Sequence, residues 1–562
     1  MQQLSNNPAP PCISAEAVLL AAQQTADPVA IVETALAKMA SDPGAMYEEA
    51  VIAALKIVRQ KEEAAYVRLT AQAKGCKTRL DKLTAPERDN HQDNMQDMIL
   101  SIARNGSTLG HDADGCGISV IETGDHREVW YIDSHGFKEW LRAAFYRAHR
   151  TGVPELAMST AISTLAAIAK HDGSEMQVHV RAAKVGDVYF VDLCDDGWRV
   201  IRVDRAGWQI VARSPVYFTR TKNMRPLPSP AAAGNIAKLW EHTNIPDVRR
   251  LPALAWLLDC LRPDTPYPIL ELTGEQGSAK SSTQRRLRDL VDPNKVPLRG
   301  RPKAIEDIYV SAANSHVVSF ENLSYLSPEQ QDALCTLATG GGFATREFYT
   351  NGEEHVLETK RPVMINGINP VATQPDLVER VISIEAPTIP PGNRKDEQTL
   401  EAEWQKDYPS VFAGLLDLFS AALAKLPDVK LTDKHRMADY QLLGEAVGLA
   451  LGKPHGHFSD LYASAIAEGI DRSLETFGVA NALQVFMAEQ STWKGTYLSL
   501  LGELAYLPGI DRSNWPKSAR GLAGQLKRIG PGLRRIGILI DKQGHGRTGS
   551  TICITCSSEN RL

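Results

Sequence analysis

A glycine-rich loop near the middle of the chain carries the residue types that bind the phosphates of a nucleotide. Glycines let backbone N–H groups close around phosphates, a lysine neutralises the β- and γ-phosphates, and a serine hydroxyl ligates Mg²⁺. We therefore predict ATP and Mg²⁺ as cofactors, with Lys280 as a catalytic residue and Ser281 as a metal ligand. The predicted binding loop consists of Gly274, Glu275, Gln276, Gly277, Ser278, Ala279, Lys280, Ser281 and Ser282.

The loop departs from the motif Gly-x-x-x-x-Gly-Lys-Ser/Thr at one position, because Ala279 stands where the second glycine is usual. Alanine is the smallest departure, although its Cβ penalises a positive φ. The alternative is a chance glycine-rich loop before a basic helix. The context favours phosphate binding, because residues 267–272 are typical of a buried strand and residues 281–290 of a helix. A phosphate loop needs such a strand-to-helix turn.

Polar residues lie at the ends of three later apolar segments, in the order that a nucleotide-hydrolysing sheet requires. Glu321 ends the first, where a carboxylate holds Mg²⁺ and polarises the attacking water, and Asn322 comes next. Asn366 ends the second segment and could orient that water. Arg380 precedes the third and could act as an arginine finger on the ATP of a neighbouring subunit. Each residue alone could be a solvated strand end, but their order after the loop favours a catalytic set.

The chain that must position these residues is too long, at 562 residues, for one hydrophobic core. Its patterns predict a multidomain α/β protein. In the accessory domain, residues 178–180, 188–191, 199–201 and 208–211 predict the strands of a β-meander. The predicted domains are a helical region (1–105), an α+β accessory domain (106–230), an α/β core (235–395), a second helical region (396–480) and a basic domain (481–562).

A basic tail stands out in a chain whose net charge is −5. Residues 516–547 hold eight Lys or Arg and one Asp, so the segment carries 8 − 1 = +7. A helix from about Ser518 and strands at 537–540 and 550–553 resemble a winged helix, which predicts DNA binding. The alternative is a winged helix that docks protein, with a solvated basic face. The candidate DNA-binding residues are Lys517, Arg520, Lys527, Arg528, Arg534 and Arg535.

With these motifs in order, residues 235–390 resemble the AAA+ ATPase domain of superfamily III helicases, of the phage, plasmid and poxvirus primase-helicase type. More loosely, residues 100–562 look like ATP-binding proteins of bacterial mobile elements. The resemblance implies a ring, usually hexameric, that hydrolyses ATP between subunits and translocates DNA. By position, motif A is matched by Lys280 and Ser281, motif B by Glu321 and Asn322, the sensor by Asn366 and the finger by Arg380.

Two departures from this family bear on function. Motif B commonly offers two adjacent acids, whereas Asn322 follows Glu321 here, which predicts slow turnover. The family's channel hairpin usually has a basic tip, but the hairpin predicted at residues 346–356, with an Asn-Gly turn, has an acidic one. Better candidates for DNA contact lie at its base and are Arg346, Lys360 and Arg361.

The leading hypothesis is an ATP-dependent DNA helicase or translocase that acts as a hexameric ring on single-stranded or forked DNA during replication of a mobile element. A primase or another replication protein is a further expected partner. The alternative is an ATP-gated initiator, or an assembly or defence switch, with little unwinding. A small-molecule kinase would leave Arg380 and the basic tail without a purpose. No signal peptide or membrane span is evident, so we expect no membrane partner and a cytoplasmic location.

Overall fold

The computed structural model describes residues 27–84, 91–346, 354–475, 477–512, 515–546 and 549–556. It is a multidomain α/β protein whose chain divides into two compact units. The first comprises residues 1–101 and 153–161, and the second comprises residues 102–152 and 162–562.

The first unit is helical where the structure describes it. Val32, Leu55, Tyr66, Leu69 and Leu80 are buried in its core. Asp27 caps the first helix by accepting a hydrogen bond from the N–H of Val29. The helices are α1 (Pro28–Lys38), α2 (Glu49–Lys61), α3 (Glu63–Gln72), α4 (Lys77–Leu83) and α5 (His91–Gly106), the last of which continues into the second unit.

The second unit begins with a small sheet that the sequence analysis did not predict. Its strand order is β3-β2-β1-β4, and the ring of Trp130 packs edge-on against Trp198 with centroids 5.2 Å apart. Two helices separate β3 from β4 along the chain. The elements are β1 (Thr108–His111), β2 (Gly117–Thr123), β3 (His126–Tyr131), α6 (His135–His149), α7 (Glu155–His171) and β4 (Ser174–Glu175).

The predicted meander is present with one different strand. The strand predicted at 178–180 is wrong as a member of it, because β5 (Val178–His179) pairs instead with β10 (Tyr217–Phe218) in parallel. Arg181 has a φ of 64°, which interrupts the extended chain. The four antiparallel strands of the meander are β6 (Ala182–Val185), β7 (Val188–Asp192), β8 (Val200–Asp204) and β9 (Gly207–Val211).

Arg181 and Asp292 form a fully buried ion pair between the meander and the α/β core. Nη2 of Arg181 lies 3.3 Å from Oδ1 of Asp292, and Nη1 donates to the carbonyl of Asp192 at 3.0 Å. Arg288, also buried, lies 3.5 Å from the other oxygen of Asp292. Burial alone would raise the pKa of Asp292, but the two guanidinium groups outweigh it and hold the pKa below its usual range.

Replacing Arg181 with methionine should lower the free energy of unfolding by about 3 kcal/mol, the low end of the range for breaking a buried ion pair, because Asp292 stays charged and buried with Arg288 but without Arg181 beside it. Calorimetric melting curves would measure the loss. The control is Arg213→Met, since Arg213 pairs with Glu122 at 3.5 Å with both side chains about half exposed. Such a pair contributes at most about 1 kcal/mol. Equal losses in the two variants would contradict a special role for the buried pair.

Four parallel strands form the sheet of the α/β core, in the order β12-β15-β11-β16. Alternate residues face opposite sides, so Leu270 and Leu272 enter one hydrophobic core and Ile269 enters the other. Because the strands are parallel, all four begin at one edge of the sheet, the amino edge, and end at the other, the carboxyl edge. The strands are β11 (Ile269–Thr273), β12 (Val318–Phe320), β15 (Val363–Asn366) and β16 (Val381–Glu385).

Short helices flank this sheet. Ser327 begins one of them with a capping box, in which its hydroxyl accepts from the N–H of Gln330 and the Gln330 side chain accepts from the N–H of Ser327. The helices are α8 (Leu239–His242), α9 (Asp247–Asp259), α10 (Lys280–Asp289), α11 (Ile305–Ala313), α12 (Pro328–Thr339) and α13 (Pro375–Val378).

An antiparallel hairpin precedes β15, where the sequence predicts one. Strand β13 (Gly341–Arg346) pairs with β14 (Glu354–Thr359), so that Arg346 lies opposite Glu354. The predicted Asn-Gly turn and the acidic tip lie outside the described residues.

The core continues into three helices, α14 (Glu397–Lys425), α15 (Ala438–Ala450) and α16 (His457–Glu475). By length and composition, α14 would suffice to cross a membrane, yet 61% of its most apolar stretch is buried within the protein. Trp404, Phe412 and Phe419 on this helix are fully buried. It is therefore a central packing element of the second unit.

The C-terminal elements form a helical layer and a three-stranded antiparallel sheet of order β17-β19-β18. The sequence predicts two of these strands, and β17 is additional. Leu522, Leu526 and Ile529 are buried on one face of α19, as the sequence predicts. The elements are α17 (Gly478–Ala488), β17 (Thr492–Thr496), α18 (Tyr497–Ala505), α19 (Ala519–Arg535), β18 (Ile538–Gly546) and β19 (Gly549–Cys556).

Candidate functional site

The glycine-rich loop leaves the carboxyl end of β11 and enters α10. Gly274 and Gly277 have φ values of 138° and 85°, which favour glycine. A Cβ built at Gly274 would lie 2.5 Å from the carbonyl oxygen of Ala386, so glycine is also required there by space. Ala279 adopts the left-handed conformation, with φ 54° and ψ 31°. Ala279 is thus accommodated in the left-handed conformation at the cost of some backbone strain.

Lys280 begins α10 and folds back over the loop. Its Nζ donates to the carbonyls of Gly274 and Glu275, both at 2.8 Å, and lies 3.2 Å from the hydroxyl of Ser278. Burial lowers the pKa of the Lys280 amine. Asn244 supports the loop from outside, because its Nδ2 donates to the carbonyl of Ser278 at 2.9 Å. Among the described residues, the hydrogen bonds of the amine therefore go to polar atoms of the loop, where a phosphate could replace them.

A buried hydrogen-bond network joins α10 to the two strands beside it. Oδ1 of Asn366 accepts from the N–H of Asn322 at 2.8 Å, and its Nδ2 donates to Oε1 of Gln284 at 2.5 Å. Nδ2 of Asn366 also lies 3.5 Å from the hydroxyl of Ser281. Gln284 in turn donates to the hydroxyl of Ser319 at 2.8 Å. The predicted sensor residue is thus connected directly to the start of α10, the helix after the glycine-rich loop, and to the turn that follows β12.

Gln284 is a member of this network that the sequence analysis missed. It lies four residues after Lys280, one turn further along α10, and is fully buried. A polar residue on the buried face of a helix that begins at a phosphate loop is the signal that could have revealed it.

Glu321 and Asn322 follow β12 at the carboxyl edge. The N–H of Glu321 donates to the carbonyl of Arg299 at 2.7 Å, and its side chain is half-buried. Asn322 has a φ of 54°, a conformation that asparagine tolerates better than most residues. Its exposed side chain and its bonded N–H make it the turn residue that brings the strand end to Asn366. This gives a structural reason for a residue that tolerates the left-handed conformation at position 322.

Arg380 lies at the opposite edge of the sheet. Its carbonyl accepts from the N–H of Ile269, the first residue of β11, at 2.9 Å. Its Nη1 lies 2.5 Å from the carboxylate of Asp376, and only 12% of the side chain is exposed. Within the same subunit, Arg380 is therefore separated from Lys280 by the length of a strand. The parallel arrangement requires this, because Arg380 precedes a strand and the loop follows one.

Two of the three residues predicted at the base of the hairpin, Lys360 and Arg361, lie at the amino edge, just before β15. Nε of Arg361 donates to the carbonyl of Ala312 at 3.1 Å, and burial lowers the pKa of Arg361. Burial likewise lowers the pKa of Lys360, whose Nζ lies 5.8 Å from the centre of the Tyr267 ring. Arg346 was wrongly predicted at the base, because it is the last residue of β13, at the end of the strand pair furthest from β15. Its side chain lies outside the described residues. DNA contact by these three residues stays a prediction.

The basic residues of α19 divide into two faces. Arg520, Lys527 and Arg534, seven residues apart, line a groove of about 660 Å³ with Lys542 of β18. Arg528 and Arg535 lie outside the lining of the groove and are exposed, as is Lys517 before the helix. The floor includes Ala519, Ala523, Gly524 and Gly530, whose small side chains leave room for a ligand to approach the helix.

Comparison with known proteins identifies the chain as a replication protein of a mobile genetic element, the class that the sequence analysis predicts. The family concerned is the actinomycete integrative conjugative element replication protein, whose model matches residues 237–455. A second model, the AICE RepA C-terminal domain, matches residues 479–561. The first match includes the glycine-rich loop and every residue of the network. The second includes the groove.

Among solved structures, three of the NrS-1 C-terminal region are similar in part. One apo structure of the A form is 11% identical, covers 82% of this chain and 98% of its own, and has a TM-score of 0.36. A second A-form structure has 10% identity, coverages of 82% and 99%, and a TM-score of 0.35. A further apo structure is 12% identical, covers 84% of this chain and 100% of its own, and has a TM-score of 0.36. Likenesses this low carry no argument about function. No curated protein matches the chain.

Proposed function

We propose that the chain is an ATPase that hydrolyses ATP at the glycine-rich loop and acts as a DNA helicase or translocase during replication of its element. The observation that carries the proposal is the network through Asn366. It connects three elements at one edge of a parallel sheet: α10 after the loop, the strand β12 that precedes Glu321, and the sensor strand β15. The strand order, with the loop after an interior strand, supports an AAA+ arrangement of superfamily III type.

The residues present fit ATP and Mg²⁺. Three loop residues with positive φ open the backbone toward the start of α10, where N–H groups attract phosphate. Lys280 would exchange its carbonyl contacts for the β- and γ-phosphates. Ser281 and Glu321 would hold Mg²⁺, which supplies neutralisation of the phosphate charge when bound. Asn366 would keep Ser281 and the turn at Glu321–Asn322 in fixed positions relative to each other. Glu321 would also polarise the attacking water.

We further propose that the chain assembles as a ring, as a hexamer, in which Arg380 acts on the ATP of a neighbouring subunit. Single-stranded or forked DNA would then be the substrate. The test is ATP hydrolysis with and without forked DNA, combined with a strand-separation assay across a range of salt. Stimulation with strand separation is expected. If forked DNA neither stimulates hydrolysis nor is separated into strands, the helicase function is excluded.

A second candidate is an ATP-gated initiator or assembly switch that binds DNA with little unwinding. The observation that favours it is the pairing of Arg380 with Asp376, which holds the proposed finger away from solvent. In the same assay this function would give ATP-dependent DNA binding without strand separation.

The C-terminal region is the proposed DNA-binding domain. Its element order, helix, strand, helix, helix and two strands, supports a winged helix in which α19 and the hairpin β18–β19 face DNA. Four cations around the groove give it the positive potential that a phosphate backbone requires.

The two faces of α19 give a sharp prediction. Lys527→Ala with Arg534→Ala should weaken duplex binding and lower the slope of log affinity against log salt by about 1.8, because each lost phosphate contact contributes about 0.9. The matched control, Arg528→Ala with Arg535→Ala, removes the same charge from outside the groove and should change the slope less. Fluorescence anisotropy at several salt concentrations measures both. Equal effects would contradict binding through the groove, and no effect in either pair would make the domain a protein-docking one.

A further inference from the structure

A cavity of about 490 Å³ lies beside the glycine-rich loop, on the side away from the network. Gly277, Ala279 and Ser282 line it from the loop and the first turn of α10. Arg394 lines it from the segment between β16 and α14. Neither Ser281, Glu321 nor Asn366 is part of the lining. The cavity therefore adjoins the loop but not the end of the site where the metal and attacking water are proposed.

The positive side chains around this cavity differ in their partners. Arg394 makes a hydrogen bond from Nε to the carbonyl of Ile389 at 3.3 Å, and it has no carboxylate partner among the described residues. The other three are paired with acids of α14, namely Arg285 with Glu397 at 3.3 Å, Arg286 with Glu401 at 2.8 Å and Lys395 with Glu403 at 2.6 Å. Arg394 is thus the cation of this cavity whose charge remains available to a ligand.

Arg394 also lies against the glycine-rich loop. A Cβ built at Gly277 would lie 2.6 Å from its Nη2, so the guanidinium group rests against the backbone of Gly277. Gly277 belongs to the part of the loop that would surround phosphates. An arginine guanidinium can donate two parallel hydrogen bonds to phosphate oxygens.

We propose that Arg394 binds the α- and β-phosphates of the nucleotide in its own subunit. The inference rests on the proposed ATP site and adds a residue to it. The γ-phosphate is excluded as its target, because that group would lie toward Ser281 and Asn366, outside this cavity. Arg394 would therefore contribute equally to ADP and ATP binding, in contrast to a residue that detects the γ-phosphate.

Isothermal titration calorimetry of the full chain with ADP and with a non-hydrolysable ATP analogue tests this. Arg394→Ala should weaken both by a similar factor of about tenfold or more, the range for a hydrogen bond to a charged group. Arg394→Lys should recover part of the loss, because it keeps the charge without the paired donors. The control is Arg205→Ala, an exposed arginine in the turn between β8 and β9, which should bind as the wild type does.

The outcomes separate this inference from the proposed function. Failure of the wild-type protein to bind either nucleotide would overturn both. If the wild type binds, Lys280→Ala does not, and Arg394→Ala binds both nucleotides normally, only the role of Arg394 is overturned. If Arg394→Ala loses binding of the ATP analogue but binds ADP normally, the proposed role of Arg394 is also overturned, since Arg394 would then recognise the γ-phosphate.

Discussion

Lys280→Ala is expected to abolish ATP binding and hydrolysis while leaving the fold intact. The hydrogen bonds that the Lys280 amine makes to the described residues go to the carbonyls and the hydroxyl of its own loop, so its removal should leave the hydrophobic core intact. Without it, the charge on the β- and γ-phosphates loses its neutralising partner. Calorimetric nucleotide binding, phosphate release and circular dichroism together measure the expected result.

The control for this variant is Lys303→Ala, which removes an exposed lysine before α11. It should hydrolyse ATP at the wild-type rate. Wild-type hydrolysis by a folded Lys280→Ala protein would mean that the glycine-rich loop is not the nucleotide site. The assignments of Ser281, Glu321 and Asn366 would then fall with it, because they depend on their position around the loop.

Arg380→Ala is expected to bind ATP nearly as well as the wild-type protein yet lose about 10³-fold or more in turnover, the magnitude attached to arginine fingers. A five-residue strand separates the edge that carries Arg380 from its own loop, a distance of about 16 Å. Arg380 can therefore reach a γ-phosphate only in another subunit. To do so it must leave Asp376, its partner in this structure.

Mixing mutant subunits distinguishes a finger from a local ion pair. Lys280→Ala subunits retain Arg380, so mixing them with Arg380→Ala subunits should rebuild some working interfaces and recover activity that neither has alone. Mixtures that co-assemble but stay inactive would contradict action on a neighbour.

Arg436→Ala provides the matched control for a purely structural effect. Arg436 pairs with the same Asp376 at 2.7 Å and with Glu379 at 3.0 Å. Its loss disturbs the same acidic cluster but leaves Arg380 in place. An equal loss of turnover in this variant would assign the effect to the stability of the cluster.

Local chemistry in the sequence was enough to predict the parts of the site that lie close together along the chain. Glycines at 274 and 277, a lysine and two serines imply a loop that turns between a strand and a helix, and the structure has that turn. The buried face of α19 was likewise predictable, because residues three and four apart on a helix share a face. The predicted role in replication of a mobile element is confirmed at the level of class by the family matches.

Only the tertiary structure decided which distant residues meet. Gln284 and Asn366 are 82 positions apart and meet because β15 lies beside β11, and no local pattern specifies that order of strands. The parallel direction of the strands puts Arg380 at the edge opposite Lys280, although both adjoin strands of one sheet. Nothing in the local sequence around Arg181 indicates its partner, which is Asp292, 111 positions away and buried against it in the fold. Hydrogen bonds between strands and buried ion pairs join groups that are far apart in the chain, so their partners are set by packing.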